Sequence, residues 1–269
     1  MFLSPLFFWA GGSLVISLAG LFLSSKLFKI DLEKNGDLIV AMLTILGTLV
    51  SVLLGLLVSS ADDQYRRLED CVNSESTSIN EIFRLSRGLP KQVSYYVQDR
   101  CIAYSDDVIN DEWPLMKDGK FSSLVTKDFT ELSDAIVEFH PSNDGEAAIQ
   151  GALLSVASDV GQNRGLRVVA SRSNWVWRLL PLIITCAVVV LACSYLYVGK
   201  GSALLHAILV GLVAITLGIN IGVIFLMTRP FSSEWAIQPE GFQLRGKIMQ
   251  EYRHSRPALV PSLPVKATP

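Results

Sequence analysis

Four long apolar runs constrain this chain more than any other feature of its sequence. A helix that spans the hydrocarbon core of a bilayer needs about 20 mostly apolar residues, and such runs occur at Pro5–Ser24, Leu38–Ser59, Val176–Val198 and Ala203–Met227. Half of the 269 residues are hydrophobic and only 18% are charged, which is too apolar for an ordinary soluble domain. The sequence therefore predicts an all-α, multi-pass protein whose four transmembrane helices contact the lipid bilayer.

The first run has an alternative interpretation as a cleaved signal peptide, because Ser17-Leu18-Ala19 offers the small residues of a cleavage site. A signal peptide carries positive charge ahead of its apolar core. No lysine or arginine precedes Pro5. We therefore interpret the first run as a span.

The spans divide the chain into four parts. Residues 1–59 hold the first two helices, 60–175 form a polar insert, 176–228 hold the last two helices, and 229–269 form a tail. Apolar residues recur at helical spacing through much of the insert. Breaks at Gly88-Leu-Pro90, at Trp113-Pro114 through Gly119, and at Pro141 through Gly145 divide it into four predicted helices.

Two further expectations concern the ends of these elements. The first helix of the insert could continue directly out of the second span, and one more short helix could follow Glu240. From about residue 257 the tail is rich in proline and is predicted to be disordered.

The distribution of positive charge predicts the orientation of the chain. One side of the membrane, which holds both termini and the insert, carries most of the basic residues near the spans: Arg66, Arg67, Arg164, Arg167, Arg172, Arg178, Arg229 and Arg245. The other side carries four lysines: Lys26, Lys29, Lys34 and Lys200. Because positively charged loops stay in the cytoplasm, we expect a cytoplasmic insert and cytoplasmic termini.

The residue types that often serve in catalysis or metal binding are scattered along the sequence. His140, His206 and His254 lie in different regions, and the four cysteines show no paired metal or disulfide spacing. The net charge of −2 offers no basic field for nucleic acid. The sequence predicts a protein that is not an enzyme and that uses no cofactor and no metal.

A stripe of small, mildly polar residues runs along the second span. Thr44, Thr48, Ser51, Gly55 and Ser59 recur at spacings of four, three, four and four, so they share one face of a helix. Small residues favour close helix packing in membranes, and they also suit the wall of a water-filled pore. Packing is the simpler interpretation of the spacing alone, and pore lining remains the alternative.

Charged residues follow this stripe where the second span ends. Asp62 and Arg66 continue its spacing, and Asp63 is adjacent. At the cytoplasmic mouth of a pore, a ring of Asp62 and Asp63 would favour cations, whereas exposed Arg66 would favour anions. The preferred ion therefore stays open.

The last span contains a small-residue motif and ends in a distinctive polar stretch. Gly218 and Gly222 form a GxxxG pattern around Asn220, which predicts a helix contact with Asn220 hydrogen-bonded across helices; a place for Asn220 in an ion path is the less favoured alternative. Beyond Met227, Arg229 is expected to anchor the helix at the inner face. Pro230 ends the helix because it lacks a backbone donor.

Several motifs occur together in one order along the chain. They are Ser60-Ala-Asp-Asp-Gln-Tyr65-Arg-Arg, then Glu75, Arg87-Gly-Leu-Pro90, Asp111-Glu-Trp113-Pro-Leu-Met, and Thr228-Arg-Pro-Phe-Ser232. With the order of two spans, a helical insert, two spans and a tail, this set resembles the bacterial bestrophin-like family of four-span membrane proteins. The stretch Arg229-Pro230-Phe231 is similar to the motif that follows the last span in that family.

The resemblance implies a pentameric ion channel whose second membrane helix lines a central pore narrowed by a hydrophobic neck. It raises the pore interpretation of the stripe in the second span. Two features depart from bestrophins. The acidic run of their calcium clasp is absent after Phe231, so calcium gating is not expected. The second span has no phenylalanine, so leucine and valine would have to form any neck.

Two functional hypotheses follow. The first is a homo-oligomeric channel that passes small inorganic ions along an axis lined by the second span. The rival is a non-conducting membrane sensor or scaffold whose cytoplasmic helical bundle docks a partner. Under the rival hypothesis, the stripe only packs helices together.

Overall fold

The described part of the chain is entirely helical. The computed structural model describes residues 4–27, 36–172, 175–196 and 202–256, and no strand occurs within these ranges. The predictions for Lys29, Lys34 and Lys200, and for the tail after residue 257, lie outside the described residues.

The helices follow the order that the sequence predicts. Their bounds are α1 Ser4–Leu27, α2 Gly36–Leu85, α3 Lys91–Asp107, α4 Trp113–Met116, α5 Ser123–Val137, α6 Asp144–Ser171, α7 Trp175–Leu196, α8 Ala203–Met227 and α9 Glu240–His254. Within the described residues, four helices, α1, α2, α7 and α8, contain segments long and apolar enough to cross a membrane.

The breaks between helices have local causes. Helix α2 continues without interruption to Leu85, and a 3₁₀ turn then leads to Pro90, the residue that precedes α3. The next break falls later than Trp113-Pro114, because Pro114 lies in the first turn of α4, where a missing N–H costs no helical bond. The chain instead turns at Gly119, whose φ of 68° is a left-handed conformation that glycine adopts readily.

The described residues of Met1–Arg66 and Asn174–Ala236 form one compact unit. Helix α1 packs along α8, and α7 also contacts α8. The core of this unit joins apolar residues of α2, α7 and α8: Val50, Leu54, Ile183, Val190, Leu217 and Ile224. Each of the three helices therefore turns one apolar face toward the other two.

The described residues of Arg67–Ser173 and Ile237–Pro269 form a second compact unit. Helix α3 packs against α5 and α9, and α5 packs against α6. Its core is built from residues at helical spacing, including Ile79, Val97, Leu132, Leu153, Val160 and Met249. Each of these helices buries one apolar stripe, as an amphipathic helix does.

Candidate functional site

The small-residue stripe of α2 is not buried within the chain. Its members are all exposed: Thr44, Thr48, Ser51, Gly55 and Ser59. The buried residues Val50 and Leu54 lie on a different face of the helix. The hydroxyls of Thr44 and Thr48 donate to the carbonyls of Val40 and Thr44, each at 2.8 Å. The stripe thus presents small side chains without using them to pack the helices of a single chain.

A second exposed face of α2 is strongly apolar. It consists of Ile45, Leu49, Val52 and Leu56, whose exposed fractions are 53%, 63%, 58% and 64%. Helical geometry places this face beside the small-residue stripe. An apolar face of this size is covered in the membrane by lipid or by another protein surface.

A groove between α2, α7 and α8 adjoins the stripe. It has a volume of about 590 Å³ and a mostly apolar lining, with Ser51 and Gly55 on its α2 wall and Thr216 and Asn220 on its α8 wall. The amide nitrogen of Asn220 donates to the carbonyl of Thr216 at 2.8 Å, one turn earlier on its own helix. The structure thus shows Asn220 bonded within α8, where the sequence suggested a bond across helices.

Gly218 and Gly222 lie on another face of α8, where α1 passes closely. A Cβ atom at Gly222 would lie 2.7 Å from Cγ of Trp9. A Cβ atom at Gly218 would lie 2.8 Å from the carbonyl oxygen of Trp9 and would overlap the hydroxyl of Ser13. The absence of a side chain at these positions permits the close approach of α1.

Gly222→Ala is expected to lower the midpoint of thermal unfolding of the detergent-solubilised protein. The added methyl group must displace the indole of Trp9, and overpacking of this kind costs about 1–3 kcal/mol. The matched control is Gly12→Ala on α1, where a Cβ atom would meet nothing within 4 Å. Equal effects of the two substitutions would contradict a packing role for Gly222.

Asp62 and Arg66 neutralise each other at the end of the stripe. Nε of Arg66 lies 2.8 Å from Oδ2 of Asp62, and the arginine side chain is 71% exposed. Asp63 is also exposed. The pair leaves this position of α2 without net charge from those two side chains.

The segment after α8 is tied to α2. Phe231 is buried, and the Arg229 guanidinium lies 4.3 Å from the centre of the Phe225 ring. Farther along this segment, the carbonyl of Trp235 accepts a 2.7 Å hydrogen bond from the hydroxyl of Tyr65. Tyr65 is next to Arg66, so the segment after α8 contacts α2 beside the charged end of the stripe.

The second unit contains a buried network of ion pairs. Arg167 binds Glu75 through Nε at 2.7 Å and Nη2 at 2.8 Å, and its Nη2 also lies 2.9 Å from Glu112. These three side chains are 0% exposed. Arg164 adds a 2.8 Å bond to Glu112, and the Tyr104 hydroxyl donates to Glu75 at 2.7 Å. The network joins α2, α3, α6 and the π-helical segment Val108–Glu112.

The environment of the network holds the Glu112 carboxylate in the charged form. Burial on its own raises the pKa of Glu112, but the hydrogen bonds and charges of Arg164 and Arg167 outweigh it, and the pKa is lowered. Burial and the neighbouring Glu75 carboxylate raise the pKa of Tyr104 well above its usual value. Tyr104 therefore remains a neutral donor to Glu75.

Sequence reasoning missed this network, although one signal pointed to it. Glu75 lies three residues after buried Val72 and four before buried Ile79, and Arg167 lies seven residues after buried Val160. Charged residues therefore occupy positions on the apolar faces of α2 and α6. A buried charge is retained in proteins when it is paired, so such positions indicate partners.

Metal ligands do not cluster in the described residues: no group of three or more histidine, cysteine, aspartate or glutamate side chains there could hold a metal ion. The four cysteines, Cys71, Cys101, Cys186 and Cys193, are free thiols. The stripe itself offers hydroxyl groups and a glycine, and Asp62 and Arg66 add opposite charges at its end.

Comparison with known proteins gives a family and a fold. A sequence model of the bestrophin-like domain matches residues 11–242. The fold resembles crystal structures of two variants of a bacterial bestrophin homolog from Klebsiella pneumoniae, at TM-scores of 0.69 and 0.63 and sequence identities of 11% and 10%. Each comparison covers 94% of this chain and 99% of the other. No curated protein matches the sequence significantly.

Proposed function

Because this chain belongs to the bestrophin-like family, we propose that it is an ion channel in which α2 lines an axial pore. The channel is a homo-oligomer, pentameric by family resemblance, in the bacterial inner membrane. The exposed small-residue stripe of α2 carries this proposal. In a closed ring, such a stripe faces the axis, and water and small inorganic ions contact its hydroxyls.

The apolar face of α2 supports an oligomer. Ile45, Leu49, Val52 and Leu56 are exposed in the single chain beside the stripe. If the stripe faces the axis, this neighbouring face meets the next subunit, and its side chains pack against that subunit. The leucines and valines of α2 are the side chains available for a hydrophobic constriction, which gates by expelling water.

The residues at the ends of the spans bear on gating and on orientation. The acidic run of a calcium clasp is absent after Phe231, where Ser-Ser-Glu-Trp stands, so the proposed channel opens without a calcium clasp. The arginines near the spans favour a cytoplasmic location for the second unit and for both termini. Asp62 and Arg66 then lie at the cytoplasmic mouth.

Thr48→Trp and Ser51→Trp are expected to reduce the single-channel current, because a bulky indole would enter the proposed pore. The protein is purified in mild detergent, its stoichiometry is measured by mass photometry, and the same species is recorded in a planar bilayer. The control is Ile16→Trp on α1, where the native side chain is 72% exposed and lies outside the proposed pore. Unchanged current in both pore variants would contradict pore lining by α2.

The stoichiometry measurement separates this proposal from its rival. A closed ring with a current that the two tryptophans reduce supports the channel. A monomer or dimer without current in either direction of a salt gradient would instead favour the non-conducting sensor or scaffold, with the second unit docking a partner.

A further inference from the structure

Two carboxyl groups face each other in the second unit where α3 packs on α5. Asp107 is the last residue of α3, and Asp128 lies within α5. Asp128 is buried, with an exposed fraction of 5%, and its carboxyl group lies within hydrogen-bonding reach of that of Asp107. A hydrogen bond between two carboxyl groups needs a proton on one of them.

The neighbouring cations do not remove that need. Arg100 of α3 lies 2.6 Å from Glu131 but 3.7 Å from Oδ1 of Asp128, which is beyond hydrogen-bonding distance. Lys127 of α5 lies 3.6 Å from Glu131 as well. In the described part of the chain, no donor hydrogen-bonds to the buried Oδ2 of Asp128. A bound proton is the donor that satisfies this oxygen.

Other charged groups around this contact already form hydrogen bonds or ion pairs with other residues. Asp106 accepts two 3.0 Å hydrogen bonds from Gln250 of α9 and lies in the field of Arg253. The π-helical segment after Asp107 contributes Asp111, which bonds to Ser122, and Glu112. Arg164 of α6 binds Glu112 and Thr126.

The electrostatics place the titration of this site near neutrality. Burial, the hydrogen bond that protonated Asp128 donates to Asp107, and the charge of Asp107 raise the pKa of Asp128 to about 7, while Arg100 acts in the opposite direction. Below that pH Asp128 holds the proton that the contact requires. Above it, Asp128 is ionised and is repelled by the charge of Asp107 across the contact of α3 with α5.

The pair lies where a movement of α3 can reach the ion-pair network of the second unit. Asp107 directly precedes the π-helical segment Val108–Glu112, and π-helical turns occur frequently at functional sites. Glu112, at the end of that segment, binds Arg167, which in turn binds Glu75 of α2. Movement at the end of α3 therefore acts on the ion-pair network that includes α2.

We propose that Asp107 and Asp128 form a proton-operated switch, in which loss of their shared proton loosens the contact of α3 with α5 and the π-helical turn that follows. The switch acts on the second unit whether or not the chain conducts ions. Its effect on current rests on the proposed channel function.

Hydrogen–deuterium exchange of the full chain in lipid nanodiscs tests the switch. After correction for the intrinsic pH dependence of exchange, wild-type peptides covering the end of α3 and the π-helical turn should open about tenfold more at pH ~8 than at pH ~6. In Asp128→Asn, the amide donates to Asp107 at either pH, so opening should be equal at the two values. Asp107→Asn should also lose the pH dependence.

The matched control is Asp134→Asn, which removes an exposed carboxylate from the same helix and should behave as wild type. Infrared spectroscopy gives a second readout: the wild type should lose a protonated-carboxyl band over the same pH interval, and both pair variants should lack that change. The proposal is overturned if wild-type exchange is independent of pH, or if Asp128→Asn retains the wild-type dependence. A pH-dependent contact in a silent protein would contradict the channel while leaving the switch.

Discussion

Arg167→Met is expected to destabilise the second unit more than any other single substitution considered for this chain. The variant leaves Glu75 and Glu112 in a fully buried site without their shared cation. Removing one partner of a buried ion pair costs about 3–5 kcal/mol, because the remaining charge is uncompensated. The measurement is the midpoint of thermal unfolding of the detergent-solubilised protein, followed by tryptophan fluorescence.

The control is Arg172→Met, at the end of the same helix. Arg172 is exposed and donates one 3.0 Å hydrogen bond to the carbonyl of Gly119, so its loss should cost about 1 kcal/mol. Adding Glu75→Gln to Arg167→Met should recover part of the lost stability, since one unpaired charge is removed. Equal midpoints for the two arginine variants would contradict the importance of the network.

The pH dependence of the Arg167→Met variant provides an independent check. In the wild type, the lowered pKa of Glu112 means that its stabilising contribution is present above its unfolded pKa and is lost as the pH falls through the folded pKa. In the variant, Glu112 keeps Arg164, but the buried Glu75 carboxylate has lost its cation. Acid relieves this uncompensated charge, so it stabilises the folded variant relative to neutral pH. The difference in unfolding midpoint between the two proteins should therefore shrink as the pH falls.

The local features of this fold could be read from its sequence because they depend on neighbouring residues. Apolar length predicted the spans, and α7 and α8 occupy Trp175–Leu196 and Ala203–Met227, close to the predicted ranges. The sequence also suggested that the first helix of the insert continues out of the second span, and α2 does extend to Leu85. Each of these features is decided by hydrophobic periodicity or by glycine and proline, which act within a few residues.

The features that sequence reasoning missed depend on residues far apart in the chain. Arg167 meets Glu75 across a sequence separation of 92 residues, and the Asp107–Asp128 pair joins two different helices. Their positions on apolar faces indicate that partners are needed, but the sequence does not say which residues those partners are. The π-helical segment Val108–Glu112 also depends on distant residues. Glu112 binds Arg167, and the adjacent Trp113 donates a hydrogen bond to the carbonyl of Ile237.

The stripe of α2 shows where structure and sequence reasoning complement each other. Spacing placed Thr48 and Ser51 on one face but could not separate packing from pore lining. The structure leaves that face exposed and buries Val50 and Leu54 instead. Under the proposed function, the face that is exposed in a single chain is the one that faces the axis of the oligomer.

Arg66→Gln and Asp62→Asn are expected to shift ion selectivity in opposite directions if α2 lines the pore. In the native chain the two side chains form a 2.8 Å ion pair, so a ring of subunits presents nearly balanced charge at this level. Arg66→Gln leaves a ring of unpaired Asp62 carboxylates, which attracts cations. Asp62→Asn leaves a ring of guanidinium groups, which attracts anions; each should change the cation-to-anion permeability ratio about tenfold at low salt.

The measurement is the reversal potential of the bilayer current under a potassium chloride gradient. The control is Arg67→Gln, which removes the same charge from the next residue, about 100° around the helix from Arg66. Because salt screens exposed charges beyond about 8 Å at physiological ionic strength, the shifts caused by Arg66→Gln and Asp62→Asn should shrink as the salt concentration rises, and Arg67→Gln should have the smaller effect throughout. If all three variants reverse at the wild-type potential, then the Asp62–Arg66 pair lies outside the ion path. That outcome would also contradict pore lining by the stripe.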